Sequence, residues 1–250
     1  MNKDRAAQLL SAGHLLEARG DRPRFFGPAA DQAFKRAMLH HARPDDAHVL
    51  YDPFCGNGTA LVFPLVFHRA RIAAVIGSDL EHASVETTQR NLGLCSVPAA
   101  TERIAHPQAG ETPEQWQPFL AVMERYACVA PPEVRTFVHD ALEPLPAERI
   151  TEDSVSVIVT DPPYGRGAPF LDGGSTVQDD AEIAALYLRS LAVLRPILQD
   201  GAVACLITAR RDELEAILSS APGYRYRERK RVTGGAYGRN FREIHALSAR

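Results

Sequence analysis

Two short polar loops, each directly after an apolar segment, constrain the fold of this chain more than any other feature. Residues 48–51 lead into DPFCGNGT at 52–59, and residues 155–160 lead into DPPYG at 161–165. Both apolar segments have the length and composition of buried strands. Loops that follow parallel strands meet at the carboxyl edge of one sheet, where α/β proteins bind ligands. The sequence therefore predicts an α/β, doubly wound fold with a ligand site at that edge.

The first loop predicts a site for a nucleotide-like cofactor. Gly56 and Gly58 lack a Cβ atom, so the backbone can turn tightly there and approach a ligand closely. No Gly-Lys-Ser/Thr sequence follows, and the Asp52 carboxylate at the lip disfavours a triphosphate. A carboxylate beside two glycines suits a ligand with a cationic amino-acid end, such as S-adenosylmethionine. The alternative is a glycine turn that only connects a strand to a helix.

The second loop predicts a site for a nucleobase. Each proline ring fixes φ and removes an N–H group, so this backbone is stiff and its carbonyls have no local donor. The Asp161 carboxylate and the Pro162 carbonyl can accept the two hydrogens of an amino group, and Tyr164 can stack on the ring. A rigid Pro-Pro turn that only caps the strand is the alternative. The glycine loop upstream favours base recognition.

These loops resemble motifs I and IV of class I S-adenosylmethionine-dependent methyltransferases that methylate amino groups. The resemblance implies a mostly parallel, seven-stranded Rossmann-like sheet with an antiparallel last strand. It also implies that Asp79, at the end of the second strand, holds the cofactor ribose, and that Asp140, after the third strand, contacts the adenine. The implied catalytic residues are Asp161, Pro162 and Tyr164. The implied cofactor-binding residues are Asp52, Phe54, Gly56, Asn57, Gly58, Thr59, Asp79 and Asp140.

A narrower resemblance is to the AviRa family of avilamycin-resistance 23S ribosomal RNA methyltransferases. It rests on the chain length, on an amino-terminal helical segment before the first strand, on NLGLCS at 91–96 and on the insertion at 96–132. The resemblance implies a guanine of 23S ribosomal RNA or of the large subunit as the target, with antibiotic resistance as one biological role. The expected chemistry is direct in-line methyl transfer to a base nitrogen, with an exocyclic nitrogen favoured and no metal.

Basic residues are concentrated at the two ends of the chain. Residues 221–250 contain eight lysines and arginines against two glutamates, and residues 1–44 contain eight basic and four acidic residues. The formal net charge of −3 therefore conceals an acidic middle between two basic ends. Tyrosines interleave with the carboxyl-terminal arginines, and this pattern favours RNA over a merely solvated surface. The predicted RNA-binding residues are Arg22, Arg24, Arg229, Lys230, Arg231 and Arg239.

Length and composition predict one methyltransferase domain over residues 1–250, with a helical and basic extension at 1–44 and an insertion at 96–132. The start of the chain has no apolar signal segment, and no apolar run has the length of a membrane span, so we expect a cytoplasmic protein. The four cysteines are too widely spaced for a zinc site or a disulfide framework. We expect no metal and a monomer.

Three alternatives remain open on the sequence alone. A DNA adenine-N6 methyltransferase shares the DPPY loop, although the insertion at 96–132 is small for a target-recognition region. A methyltransferase of small molecules or proteins has no need of basic, aromatic ends. A non-catalytic RNA-binding protein with this fold has no use for the glycine loop.

Overall fold

The structure is a computed structural model that describes residues 6, 16–17, 27–108, 110–163, 170–172, 175–177, 179–209, 214–234 and 240–250. Four of the predicted site residues lie outside these ranges: Arg22, Arg24, Tyr164 and Arg239.

A seven-stranded sheet with the strand order β3-β2-β1-β4-β7-β9-β8 forms the centre of the fold. Its strands are β1 (His48–Asp52), β2 (Ile72–Asp79), β3 (Glu133–Val138), β4 (Val155–Thr160), β7 (Leu198–Thr208), β8 (Tyr224–Gly234) and β9 (Asn240–Ala249). The pairings from β3 to β7 are parallel, whereas β9 runs antiparallel to both of its neighbours. The predicted mostly parallel sheet with an antiparallel last strand is confirmed.

Helices cover both faces of the sheet. They are α1 (Gly27–His40), α2 (Thr59–Phe67), α3 (His82–Gly93), α4 (Val97–Ala105), α5 (Pro113–Glu124), α6 (Asp180–Leu194) and α7 (Leu214–Ser219). One core cluster contains Phe34 of α1, Phe63 of α2 and Trp116 of α5, and the other contains Leu191 of α6 and Leu218 of α7. Every residue of β4 is buried, as expected for a central parallel strand with helices on both faces.

Two segments differ from the expectations. The sequence pattern predicts one short helix in the insertion, at 114–128, but the insertion contains two helices, α4 and α5. The sequence pattern also predicts a glycine-containing loop at 166–178, and the described part of this stretch holds a two-stranded antiparallel hairpin, β5 (Phe170–Asp172) and β6 (Ser175–Val177). Such a short hairpin has too few apolar residues to show a strand pattern in the sequence.

Within the described ranges, no helix is both long and apolar enough to cross a membrane. The same part of the chain holds no group of three or more histidine, cysteine, aspartate or glutamate side chains arranged to bind a metal ion. All four cysteines are free thiols, and Cys128 is the exposed one.

Candidate active site

The two predicted loops lie side by side, because β1 and β4 are neighbouring parallel strands. Asp52 ends β1 and is 1% exposed. Its Oδ1 accepts a hydrogen bond of 2.6 Å from the Thr160 hydroxyl at the end of β4 and one of 3.0 Å from the Phe54 N–H. Asp52 therefore ties the glycine loop to the strand that leads into Asp161.

The glycine loop has one open side and one packed side. Gly56 and Gly58 have φ values of +54° and +80°, in the region that favours glycine. A Cβ atom on Gly56 would find its nearest neighbour, the Phe54 carbonyl oxygen, 4.0 Å away. A Cβ atom on Gly58 would lie 3.0 Å from Cγ2 of Thr88 on helix α3. The loop can thus present bare backbone to a ligand while helix α3 supports it from behind.

Acidic side chains from adjacent strands extend this edge. Asp79, at the end of β2, accepts hydrogen bonds from the Gly56 N–H (2.9 Å) and the Glu81 N–H (3.0 Å). Asp140, shortly after β3, accepts one from the Leu142 N–H (2.9 Å). Both carboxylates are partly exposed, so they can accept further hydrogen bonds from hydroxyl and amino groups and attract a cation. This acceptor set, beside an open glycine backbone, fits S-adenosylmethionine.

The remaining predicted cofactor residues have local roles as well. Asn57 Oδ1 accepts hydrogen bonds from the N–H and the hydroxyl of Thr59, at 3.3 and 2.7 Å, and so closes the turn before helix α2. Phe54 lines a small apolar cavity together with Pro53 and Pro162. Phe54 and Pro162 therefore belong to one patch that connects the two loops.

Asp161 has a buried, unused acceptor. Its Oδ1 atom has no hydrogen-bond partner among the described residues. Burial raises the pKa of Asp161 to about 8. The Arg242 guanidinium lowers this pKa, whereas the negative charge of Asp52 raises it further. Burial also raises the pKa of Asp52 to about 7, although the hydrogen bonds from Thr160 and Phe54 lower it. A carboxyl group with a raised pKa and a free oxygen is suited to accept a proton from a substrate.

Similarity to known proteins places this site in a family. The model of the family described as rRNA methyltransferase AviRa matches residues 2–221. The chain belongs to the AviRa family of rRNA methyltransferases. The 23S rRNA (guanine(2535)-N(1))-methyltransferase of Streptomyces viridochromogenes is 29% identical over 199 residues, which cover 75% of this chain and 76% of that protein. The solved structure of rRNA methyltransferase aviRa from the same organism has a TM-score of 0.72 at 25% identity and covers 97% of this chain and 92% of that one. A methyltransferase structure from Pyrococcus furiosus shares the fold, with a TM-score of 0.58, 13% identity and coverage of 99% and 98%.

As a member of the AviRa family, the chain is an RNA methyltransferase with S-adenosylmethionine as its cofactor. The fold and the cofactor predicted from the two loops, and the family predicted from the narrower resemblance, are therefore confirmed. The roles of the individual site residues stay predictions.

Sequence reasoning missed Tyr187 of helix α6. This side chain is 1% exposed, and its hydroxyl donates a hydrogen bond of 3.1 Å to the Pro163 carbonyl. The bond occupies one of the carbonyls that the Pro-Pro sequence leaves without a local donor, and it orients the loop around Asp161. The 3.6-residue spacing of α6 predicts that Tyr187 is buried, but it gives no indication of where the hydroxyl points.

Three of the predicted RNA-binding residues of this AviRa-family chain, Arg229, Lys230 and Arg231, lie on the edge strand β8. Lys230 and Arg231 are exposed. Arg229 is only 25% exposed and lies 2.7 Å from the Glu243 carboxylate, which is 1% exposed, and 3.7 Å from that of Glu215. The Arg231 guanidinium also approaches the Glu243 carboxylate, at 3.7 Å. Sequence reasoning missed this ion pair, because its partners come together only through the register of β8 on β9 and the packing of α7. Arg229 therefore has a structural role whatever else it contacts.

Proposed function

We propose that the protein methylates ring nitrogen N1 of a guanine in 23S ribosomal RNA. The S. viridochromogenes relative carries this specificity in its name. The observation on this chain that favours it is the buried Oδ1 of Asp161, which has no partner in the described part of the structure. Guanine N1 carries a proton that must leave as the nitrogen gains a methyl group. This proposal replaces the exocyclic nitrogen favoured on sequence alone, since a ring nitrogen makes the stronger demand for a base.

Asp161 accepts the N1 proton in this proposal. With a pKa raised to about 8, its carboxylate is a stronger base than an ordinary aspartate, and its buried Oδ1 atom is available to receive the proton. In the same proposal the Pro162 carbonyl accepts a hydrogen bond from the neighbouring amino group of the base, which distinguishes guanine from bases that lack one. Tyr187 holds the Pro163 carbonyl and so fixes the loop that carries both acceptors.

Three groups at the sheet edge would hold the cofactor, and a fourth would hold the loop that carries one of them. S-adenosylmethionine, when bound, supplies an electrophilic methyl group. The open backbone at Gly56 accommodates close approach, and Asp79 and Asp140 provide acceptors on successive strand ends. Asp52 holds the glycine loop beside β4, so that the methyl donor and the base are kept in adjacent sites.

The exposed cations of β8 are proposed to bind the RNA backbone. Three strand spacings separate β4 from β8, so Lys230 and Arg231 lie roughly 14 Å from the Asp161 loop. A strand of RNA that delivers a flipped base to Asp161 can reach this distance with neighbouring phosphates. Arg22, Arg24 and Arg239 stay predictions from the sequence. An enzyme of 23S RNA acts where ribosomes are made and used, so we place it in the cytoplasm.

Methyl transfer onto defined nucleic acids tests the proposal. Purified protein is incubated with tritiated S-adenosylmethionine and, in parallel, with 23S RNA, transfer RNA and DNA. We expect label in 23S RNA and a stop to reverse transcription at one guanine, because a methyl on N1 blocks the base-pairing edge. Asp161→Ala should abolish the label. Label in DNA alone would favour the adenine methyltransferase, and RNA binding without any label would favour a non-catalytic protein.

A resistance role is a separate part of the proposal. Cells with and without the gene are compared for growth in avilamycin, and the Asp161→Ala variant serves as the matched control. If cells with the Asp161→Ala variant stay resistant, the resistance does not depend on methylation.

A further inference from the structure

Asn91 is a buried polar residue that the proposed mechanism leaves unused. It lies on helix α3, is 0% exposed and is part of the run at 91–96. Its Nδ2 donates hydrogen bonds to the Asn57 carbonyl of the glycine loop, at 2.8 Å, and to the Glu17 carbonyl, at 3.1 Å. Its Oδ1 accepts one of 2.9 Å from the Glu17 N–H. One amide therefore joins two segments that are 40 residues apart in sequence.

The contact with residue 17 holds the backbone as a neighbouring strand would. Both the N–H and the carbonyl of Glu17 are bonded to the same side chain, which fixes the position and the direction of the chain there. Leu16 is 6% exposed and packs into the core cluster, and the Glu17 carboxylate lies 2.8 Å from Nε of Arg90. The segment is thus anchored at this point by a bidentate backbone contact, an apolar side chain and an ion pair.

The same face of helix α3 supports the back of the glycine loop. The Thr88 hydroxyl lies 3.0 Å from the Gly56 carbonyl, to which it can donate, and Thr88 Cγ2 blocks the Cβ position of Gly58. Asn91 is one helical turn further on and bonds the carbonyl between these two glycines. The carbonyls of Gly56 and Asn57 are therefore held from behind, while their other side faces the cofactor site.

We propose that Asn91 couples the cofactor loop to the amino-terminal segment, so that cofactor binding and docking of residues 16–17 strengthen each other. The coupling rests on the proposed cofactor site at the glycine loop. If ligand binding shifts the Asn57 carbonyl, the side-chain amide of Asn91 must move with it. The other hydrogen bonds that the described structure gives this amide go to Glu17, so the shift is transmitted to Glu17. Because such linkage is reciprocal, loosening Glu17 weakens cofactor binding to the same extent that the cofactor tightens Glu17. Asn91 is a positioning residue in this scheme and does not contact the reacting atoms.

The test removes one hydrogen bond on the segment and leaves the glycine loop untouched. Glu17→Pro removes both the Glu17 carboxylate and the N–H that donates to Asn91 Oδ1. Glu17→Ala is the matched control, because it removes the carboxylate but keeps the N–H. Calorimetry with S-adenosylmethionine gives the Kd of each full-length variant. We expect Glu17→Pro to bind about tenfold more weakly than Glu17→Ala. Asn91→Leu should weaken binding at least as much.

Hydrogen exchange supplies a readout that a merely structural role would not change. In the wild-type protein, saturating S-adenosylmethionine should slow exchange of the Glu17 amide several-fold, and in Asn91→Leu this response should disappear. Equal Kd values for Glu17→Pro and Glu17→Ala would overturn the coupling. An exchange rate of the wild-type Glu17 amide that does not change with cofactor would overturn it as well. Failure of the wild-type protein to take up cofactor would instead overturn the cofactor site, so the two ideas fail separately.

Discussion

The pH dependence of methyl transfer should report the ionisation of Asp161. Only the carboxylate form accepts a proton, so the rate must rise with pH through the pKa of this group. With a pKa of about 8, about one tenth of the free enzyme is ionised at pH 7 and about nine tenths at pH 9. We therefore expect kcat/KM, measured with tritiated cofactor at subsaturating cofactor and RNA, to rise about tenfold over this interval.

Guanine N1 also ionises in the alkaline range, so a rate that rises with pH does not by itself show whether Asp161 or the RNA base is the titrating group. Arg242 separates the two cases, because its positive charge lowers the pKa of Asp161. Arg242→Gln should move the limb to higher pH by about one unit and lower the rate at pH 7 by about tenfold. Arg225→Gln removes an exposed arginine at the far end of β8 and is the matched control.

A limb that stays in place in Arg242→Gln would assign the ionisation to the RNA base and refute Asp161 as the titrating group. A rate that is flat between pH 6 and 9 would refute the raised pKa itself.

Three further predictions concern stability, loop position and RNA affinity. Asp161 has a folded-state pKa above its unfolded value, so its favourable contribution exists at low pH and is lost as the pH rises toward 8. Urea unfolding should find Asp161→Asn more stable than the wild-type protein by about 5 kcal/mol at pH 8.5 and equal to it near pH 3. Tyr187→Phe removes one hydrogen bond to the Pro163 carbonyl, worth about 1 kcal/mol, and should lower the single-turnover rate about fivefold with no change in the calorimetric Kd of the cofactor; an altered Kd with a normal rate would contradict it. Lys230→Gln should reduce the slope of log affinity against log salt for RNA by about 1, whereas Lys35→Gln, an exposed lysine paired with Asp31, should not; equal slopes in both variants would count against the β8 surface.

The sequence was sufficient to predict the sheet and the side-by-side position of the two loops at its carboxyl edge. The continuous apolar run of β4 identifies a strand that is buried on both faces, and a glycine loop after β1 requires a helix behind it. The second helix of the insertion was also signalled, since Ser96 caps α4 by accepting from the Ala99 N–H and Pro98 sits in its first turn. The six prolines between residues 96 and 132 favour irregular structure as a first interpretation, and this obscures the helix signal.

The sequence was not sufficient for contacts that depend on register and helix packing. The ion pair between Arg229 and Glu243 exists because β8 and β9 pair with one particular register, and a bulge after Tyr226 shifts that register. The bond from Tyr187 to Pro163 depends on how α6 lies across the sheet. No local pattern carries this information, because each pair consists of ordinary residues that are far apart in the chain.

The two loop aspartates show why residue type and position do not determine chemistry. Asp52 is buried and Asp161 has a buried Oδ1 atom; both acids lie at the ends of adjacent strands, and each has a raised pKa. Asp52 already accepts hydrogen bonds from Thr160 and Phe54, which favour its charged form and give it the lower pKa of the two. Asp161 Oδ1 has no such partner in the described part of the chain, so its charged form is less stable and more basic. The charge on Asp52 adds to this effect, and the residue that clamps the loops together thereby also raises the basicity of the residue that is proposed to react.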